Sequence, residues 1–498
     1  MPTSRLCQTV RITACISLRK SSFSTVSSSD SQVCLPSSTR SPSSLAHLED
    51  ASYCYIRFLP SFQLLCGTGS ATLLPISVPN ALSDDGWNYG TLPTLLGTPP
   101  QEVNLTINLS GDLFAAFSYD CVLCAGNSFF DASLSTTFQP SNTPWPNSDA
   151  TMSGIEVNDT VSFGGLLNLP NEKFALMESM SPSFGLSLFN GHFGVMMSPV
   201  NTTEQSQHIL SQLLQSNQLL NPVVGMRFDP KNPKMTIGAL DPADYEGEIN
   251  WVEMETPVNS WDFPNVFKLD GIKGYNGSFL PWGNNLSASV NSLFFAVAVP
   301  NTWQYMVEDG FTGPLETISY NPDVGVISYQ CNETTPYVAL TATINGVDYR
   351  MDSPNNLLRP TGESRVGFCN VGITNRTQPV NIPDVDLGLP FLRSVYLAYR
   401  FPTANCPGYY GFAFPSGANR TQAEISQTPT STPAQSAQCL SLTKPTSTPT
   451  ATVVTTRQKL MSKQNYDVYM NPQANQMPLV GVDELPKAVW NTTDLNGQ

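Results

Sequence analysis

The sequence predicts an all-β protein with a few short helices, and three observations carry that reading. Apolar and polar residues alternate over many short runs; Gly, Pro and Asn interrupt those runs often, with 33 Gly and 41 Pro in 498 residues; and a clear helical period shows in one place. Strands are expected over 103–107, 160–163, 235–237, 288–290, 337–344 and 395–399. The helix is expected between Glu204 and Asn217, with Ile209, Leu210, Leu213 and Leu214 on one face. His208 falls on its polar side and reads as a surface residue, and His192 as a loop residue.

Composition excludes several function classes. The chain carries 39 acidic against 24 basic side chains, a formal net charge of -15. Such a surface repels phosphate backbones, so no nucleic-acid partner is expected. Three histidines are too few for most His-based metal sites, and no metal or cofactor is expected. No apolar run reaches the ~18 residues of a membrane helix, so no transmembrane helix is expected either. Serines are plentiful, but no Gly-x-Ser-x-Gly elbow occurs. The glycines are scattered at turns and form no phosphate-cradling loop.

Three regions differ in composition. Residues 1–80 read as a processed targeting segment or a mis-assigned start. The first part is Ser/Thr-rich, with Arg5, Arg11, Arg19, Lys20 and Arg40 against Asp30 alone. Arg57 then precedes the apolar run 58–66 and the small residues Gly67, Gly69, Ser70 and Ala71, a secretory signal with cleavage near Ala71 that begins late, as a start codon placed too far upstream would make it. Residues 81–416 read as the folded domain. Residues 417–498 read as a Ser/Thr/Pro-rich stalk and polar disordered tail, marked by the repeats 428–433 and 444–449 and lacking a hydrophobic end for a lipid anchor.

Cysteine arithmetic agrees with a cut near Ala71. The chain has 11 Cys, an odd number. Cys7, Cys15, Cys34, Cys54 and Cys66 precede the cut, and Cys121, Cys124, Cys331, Cys369, Cys406 and Cys439 remain, an even set able to form three bridges in an oxidising compartment. Sequons occur at Asn104, Asn108, Asn158, Asn201, Asn276, Asn285, Asn332, Asn375, Asn419 and Asn491. Composition alone would yield about seven, so their number supports secretion weakly.

Five ordered motifs carry a resemblance. They are Gly97-Thr98-Pro99-Pro100-Gln101; the segment 130–138; Gly154-Ile155 with Asp159 to Gly165; Ile237 to Asp241 with Tyr245, Gly247 and Asn250-Trp251-Val252; and Leu387-Gly388-Leu389-Pro390-Phe391-Leu392-Arg393. Together, over about 330 residues, they resemble the pepsin-like aspartic proteases, particularly fungal secreted ones. The resemblance implies two β-barrel lobes, about 88–255 and about 256–416, with a central peptide-binding cleft. It also implies a small disulfide loop at Cys121–Cys124 rather than a redox motif and a C-lobe bridge Cys331–Cys369, leaving Cys406 with Cys439 to tie the start of the stalk to the domain.

In active members each lobe supplies one Asp from an Asp-Thr/Ser-Gly turn. Two close carboxylates cannot both ionise readily, so they share a proton: one draws a proton from a bridging water while the other donates to the scissile carbonyl. This sequence departs from that pattern twice. The first matching position is Asn108, in Asn108-Leu109-Ser110-Gly111, with one residue deleted before Leu113. The second is Asn291, in Asn291-Ser292-Leu293, and no Asp or Glu lies between Asp270 and Glu308. An amide hydrogen-bonds water but does not take its proton near neutral pH. Asp112 is a nearby carboxylate in the first lobe, yet one alone makes no dyad. The flap Tyr position is Asn147, with Trp145 the nearest aromatic, and Met197 stands where the family places a second Gly.

The expectation is therefore a secreted, glycosylated, disulfide-bonded pseudoprotease with no catalytic residue. Its partner would be an extended peptide or a cell-wall component, and it would be a monomer. The alternative is an active acid endopeptidase with a non-standard dyad. The expected cleft and flap residues are Ser110, Gly111, Asp112, Trp145, Asn147 and Ser292. Asn108, deep in that cleft, is expected to escape glycosylation.

Overall fold

The computed structural model describes residues 54–56, 64–66, 69–75, 90–124, 128–145, 152–180, 191–197, 202–229, 232–255, 265–274, 277–280, 285–294, 296–300, 318–321, 326–330, 339–352, 358–360, 368–376, 383–434, 436–445 and 450–451. The chain divides into two compact units, Met1–Cys66 and Gly67–Gln498. In the first, Cys54–Ile56 pairs antiparallel with Leu64–Cys66. The second holds everything described below.

The fold is all-β, as expected. The first lobe is a seven-stranded sheet in the order Thr91–Leu96, Gln101–Asn108, His192–Gly194, Phe114–Val122, Leu167–Met180, Met152–Phe163 and Gln139–Pro144. Thr91–Leu96 also pairs with Met152–Phe163, which curls the sheet back on itself. Alternation builds the core: Val103, Leu105 and Ile107 are fully buried from one strand. The long hairpin of Met152–Phe163 and Leu167–Met180 turns at Gly164-Gly165, whose φ values of +58° and +67° favour glycine.

The second lobe mirrors this plan. Its larger sheet runs Val266–Leu269, Leu286–Val290, Val385–Leu387, Val297–Val299, Phe368–Asn375, Val326–Gln330 and Ile318–Asn321, with Leu358–Pro360 on the side of Phe368–Asn375. A three-stranded sheet of Gly271–Lys273, Ala339–Ile344 and Val347–Asp352 accompanies it. The Asn345-Gly346 turn there takes φ +48° and +80°, the Asn-Gly hairpin signal in structural form.

A third sheet of seven strands joins residues from across the sequence: Tyr245–Glu253, Tyr409–Pro415, Tyr396–Arg400, Val223–Arg227, Lys234–Ile237, Thr72–Pro75 and Thr450–Ala451. Tyr396–Arg400, Val223–Arg227 and Tyr409–Pro415 are buried along their whole length, as central strands covered on both faces are.

Five expectations are corrected. The segment set aside as 1–80 reaches into the fold: Thr72–Pro75 pairs with Lys234–Ile237, and Ser70 exchanges backbone hydrogen bonds with Gln218 and Leu220. The stalk set at 417–498 begins too early. A capping box at Thr421 and Glu424 starts a short helix, Asn345 binds Thr430 and Ser431, and Asn221 exchanges two hydrogen bonds with Thr443 at 2.8 and 2.7 Å. The Cys406–Cys439 disulfide fastens the same segment. Finally, the helix expected over 204–217 breaks at His208 into Thr202–Gln207 and Ile209–Gln215. His208 is buried, not superficial: Nδ1 accepts the N–H of Leu210 as an N-cap and Nε2 donates to the carbonyl of Gly194. His192 likewise opens a buried strand instead of a loop.

Candidate functional site

The two lobes place Asn108 and Asn291 at equivalent points. Gln101–Asn108 runs parallel to His192–Gly194, with Asn108 opposite Gly194. Leu286–Val290 runs parallel to Val385–Leu387, with Val290 opposite Leu387, so Asn291 follows beside Gly388. Each glycine is demanded by a backbone crossing. A Cβ at Gly194 would overlap the backbone of Asp112 and Leu113, and one at Gly388 would overlap the carbonyls of Ala296 and Phe294. The expected second glycine is Met197, which is buried and donates its N–H to the Tyr399 hydroxyl at 3.1 Å.

Ser292 joins the two loops. Its hydroxyl donates to the carbonyl of Ile107 at 2.6 Å and accepts the N–H of Leu109 at 3.0 Å, and it is fully buried. Leu109, also fully buried, has no hydroxyl to return the contact, so this link is one-sided.

Both amides are held the same way. Asn108 Oδ1 accepts the N–H of Ser110 at 2.8 Å, and Asn291 Oδ1 accepts that of Leu293 at 3.0 Å, an Asx turn in each lobe. Asn291 Nδ2 donates to Asp386 Oδ2 at 3.1 Å. These contacts fix the orientation of Asn291, because a flipped amide would set donor against donor and oxygen against carboxylate. An amide oxygen is not basic, so the pair offers N–H donors and no strong base.

Asp386 is the neighbour of Asn291 that sequence reasoning missed. It is buried in Val385–Leu387; Oδ1 accepts from the Ser289 hydroxyl at 2.9 Å, and Arg376 lies 3.5 Å from Oδ2. Burial raises its pKa, opposed by the bonds from Asn291, Arg376 and Ser289. Its available signal was an acid between the apolar residues Val385 and Leu387, two positions after Asp384.

The other expected residues scatter. Gly111 stays with the first loop, its carbonyl accepting the N–H of Met196 at 3.3 Å. Asp112 is exposed, and Trp145 is buried with its N–H on the carbonyl of Gly154. Asn147 lies outside the described residues. Cys121–Cys124 and Cys406–Cys439 are bonded, whereas the expected Cys331–Cys369 pair involves Cys331, outside them. Among the sequons, Asn285 and Asn419 are exposed, and Asn104, Asn158 and Asn375 are half-buried. Asn201, Asn276, Asn332 and Asn491 lie outside the described residues, and Asn108 is buried at 9% exposure.

A family model described as eukaryotic aspartyl protease matches residues 89–406, which span both loops and both lobes. The chain belongs to that family. Among its relatives, human gastricsin is 24% identical over 362 residues, covering 69% of this chain and 85% of that protein. Pepsin A of Callithrix jacchus is 24% identical over 321 residues, 63% of this chain and 76% of that protein. Bovine chymosin is 26% identical over 193 residues, 38% of this chain and 50% of that protein. The matched span 89–406 includes both Asn108 and Asn291. Among the described residues, no helix is long and apolar enough to cross a membrane.

Proposed function

We propose that this protein is a secreted aspartyl protease homologue that has lost peptide-bond hydrolysis and keeps its inter-lobe groove for binding an extended peptide. One observation carries the reading: both loop side chains are amides whose Oδ1 accepts a backbone N–H, leaving amide N–H groups as the site's donors and no carboxylate at either position. Such donors suit the carbonyls of an extended peptide, but neither amide can take a proton from water. Asp386 adds one carboxylate behind Asn291, with both oxygens already engaged, and so supplies no second member of an acid–base pair. The Ser292 link preserves the approach of the lobes, which a binding groove needs as much as a catalytic one. Secretion is supported by the disulfides and by the apolar run 58–66. A role as a cell-wall or surface glycoprotein draws on the same sequons and on the Thr/Pro repeat near the C-terminus.

The test is to incubate purified protein with diverse peptides from about pH 3 to 6, and to titrate the same peptides calorimetrically. Saturable binding without cleavage is the expected result. Cleavage blocked by a statine-type transition-state mimic would overturn the reading in favour of an active enzyme with a non-standard dyad.

A further inference from the structure

One face of the second lobe's larger sheet is polar, and Asn291 lies on it. Residues paired across strands point to the same side, and so do residues two apart along a strand. The register sets Val266, Ser289, Asp386, Ala298 and Thr374 in one row. Lys268, Ser287 and Asp384 form the row on one side of it, and Asn291 and Arg376 the row on the other.

Side-chain contacts agree with that placement. The hydroxyls of Ser287 and Ser289 donate to Asp384 and Asp386 at 2.9 Å each, and Asn291 Nδ2 and Arg376 reach Asp386 Oδ2 at 3.1 and 3.5 Å. The opposite face, with Phe267, Ala288, Val385, Val297 and Ile373, is buried in the core. Water reaches the polar face: Asp384 and Lys268 are exposed, and Asn291, Thr374 and Arg376 are half-buried. A groove that passes Asn291 therefore has a hydrogen-bonding floor in the second lobe. We infer that this floor selects a neutral side chain that both donates and accepts hydrogen bonds, glutamine or asparagine, at one position of the bound peptide. The inference rests on the peptide-binding reading above.

The other side-chain classes are disfavoured. Leucine or phenylalanine would strip water from Asn291, Thr374 and Arg376 and return no hydrogen bond. A carboxylate would meet Asp386 and Asp384. An ammonium would meet the guanidinium of Arg376. Asp386 and Arg376 offset one another, and Lys268 is paired with Glu255 at 2.9 Å, so neither sign of ligand charge gains an uncompensated partner. An amide adds no charge; its oxygen accepts from a guanidinium and its nitrogen donates to a hydroxyl or carboxylate oxygen. Ala298, between Asp386 and Thr374, presents only a methyl, so the row is lowest where such a side chain would lie.

The experiment reads selectivity. The full chain is immobilised and incubated with a synthetic library of octapeptide amides varied at every position, and retained peptides are sequenced by mass spectrometry. One position enriched in glutamine and asparagine over leucine, glutamate and lysine is expected, by about tenfold, the effect of one hydrogen bond to a charged group. Arg376→Met keeps the apolar stem and removes the charge. It should abolish the enrichment at that position and leave the preferences at other positions unchanged. Should that variant not fold, Thr374→Val is expected to lower the enrichment about threefold, as for a neutral hydrogen bond. Retention of no peptide would overturn this inference together with the peptide-binding reading. Retained peptides without such a position, or with leucine, glutamate or lysine favoured at every position, would overturn this inference alone. Unchanged enrichment in folded Arg376→Met, or in Thr374→Val where Arg376→Met does not fold, would do the same.

Discussion

An aspartate placed at position 291 should harm the protein. Asn291→Asp replaces the amide nitrogen that donates to Asp386 Oδ2 by a carboxylate oxygen at a separation near 3.1 Å. Two full charges at that distance repel by about 5 kcal/mol at an effective dielectric of ~20. Keeping a proton on the pair is cheaper. Holding it at pH 7 on a group that ionises near pH 3.9 in the unfolded chain costs about 1.4 kcal/mol per unit over roughly three units, about 4 kcal/mol. Arg376, beside Asp386, offsets part of this, so a loss of about 3 kcal/mol is expected at pH 7. The sign follows from a folded-state pKa raised above the unfolded one: the penalty is absent below the unfolded pKa and grows as pH rises towards the folded pKa. Urea unfolding of Asn291→Asp and the parent should therefore nearly coincide at pH 4 and separate at pH 7. The exchange Asn291→Asp with Asp386→Asn keeps one amide and one carboxylate, and should return to within about 1 kcal/mol of the parent. Asn108→Asp, whose Oδ1 already accepts the Ser110 N–H, should change stability by less than about 1 kcal/mol. Equal stability of Asn291→Asp and the parent at both pH values, or failure of the exchange to rescue, would refute the reasoning.

Further outcomes follow from single contacts. Ser292→Ala leaves the Ile107 carbonyl and the Leu109 N–H without their shared hydroxyl, and thermal unfolding should report a loss of about 2–3 kcal/mol. Gly388→Ala drives a methyl into the carbonyls of Ala296 and Phe294; a loss of about 3 kcal/mol, seen in urea unfolding, is expected. Cys439→Ser opens a disulfide spanning 33 residues, worth about 3–4 kcal/mol in the loop-entropy model. That variant should also expose the segment 417–445 to limited proteolysis, and cleavage at the parent's rate would argue against its being fastened there.

Strands whose own alternation marks a buried face were legible. Val103, Leu105 and Ile107 announce their strand, and the central sheet shows as apolar and aromatic runs around 395–399. What escaped depends on partners far away in sequence. Thr72–Pro75 lies in a segment whose composition suggests processing, and only pairing with Lys234–Ile237 makes it a strand. The residues after 417 have the make-up of loose chain, yet Asn345, Tyr409, Arg400 and Asn221 supply donors and acceptors at fixed points along them. Helical periodicity put His208 on the polar face, but an unpaired carbonyl at Gly194 and an uncapped helix start give both ring nitrogens buried partners. Asp386 is the most instructive case. Matching the chain to its family compares position 291 with an Asp and reads Asn as a loss. Position 386, one residue before the matched Leu387, carries no such meaning on its own. The structure makes the two a single unit: a carboxylate at 386 needs a donor at 291, and an aspartate at 291 would meet like charge. An amide at 291 suits the carboxylate at 386, and changing 291 alone to aspartate would leave that pair with like charges or a held proton.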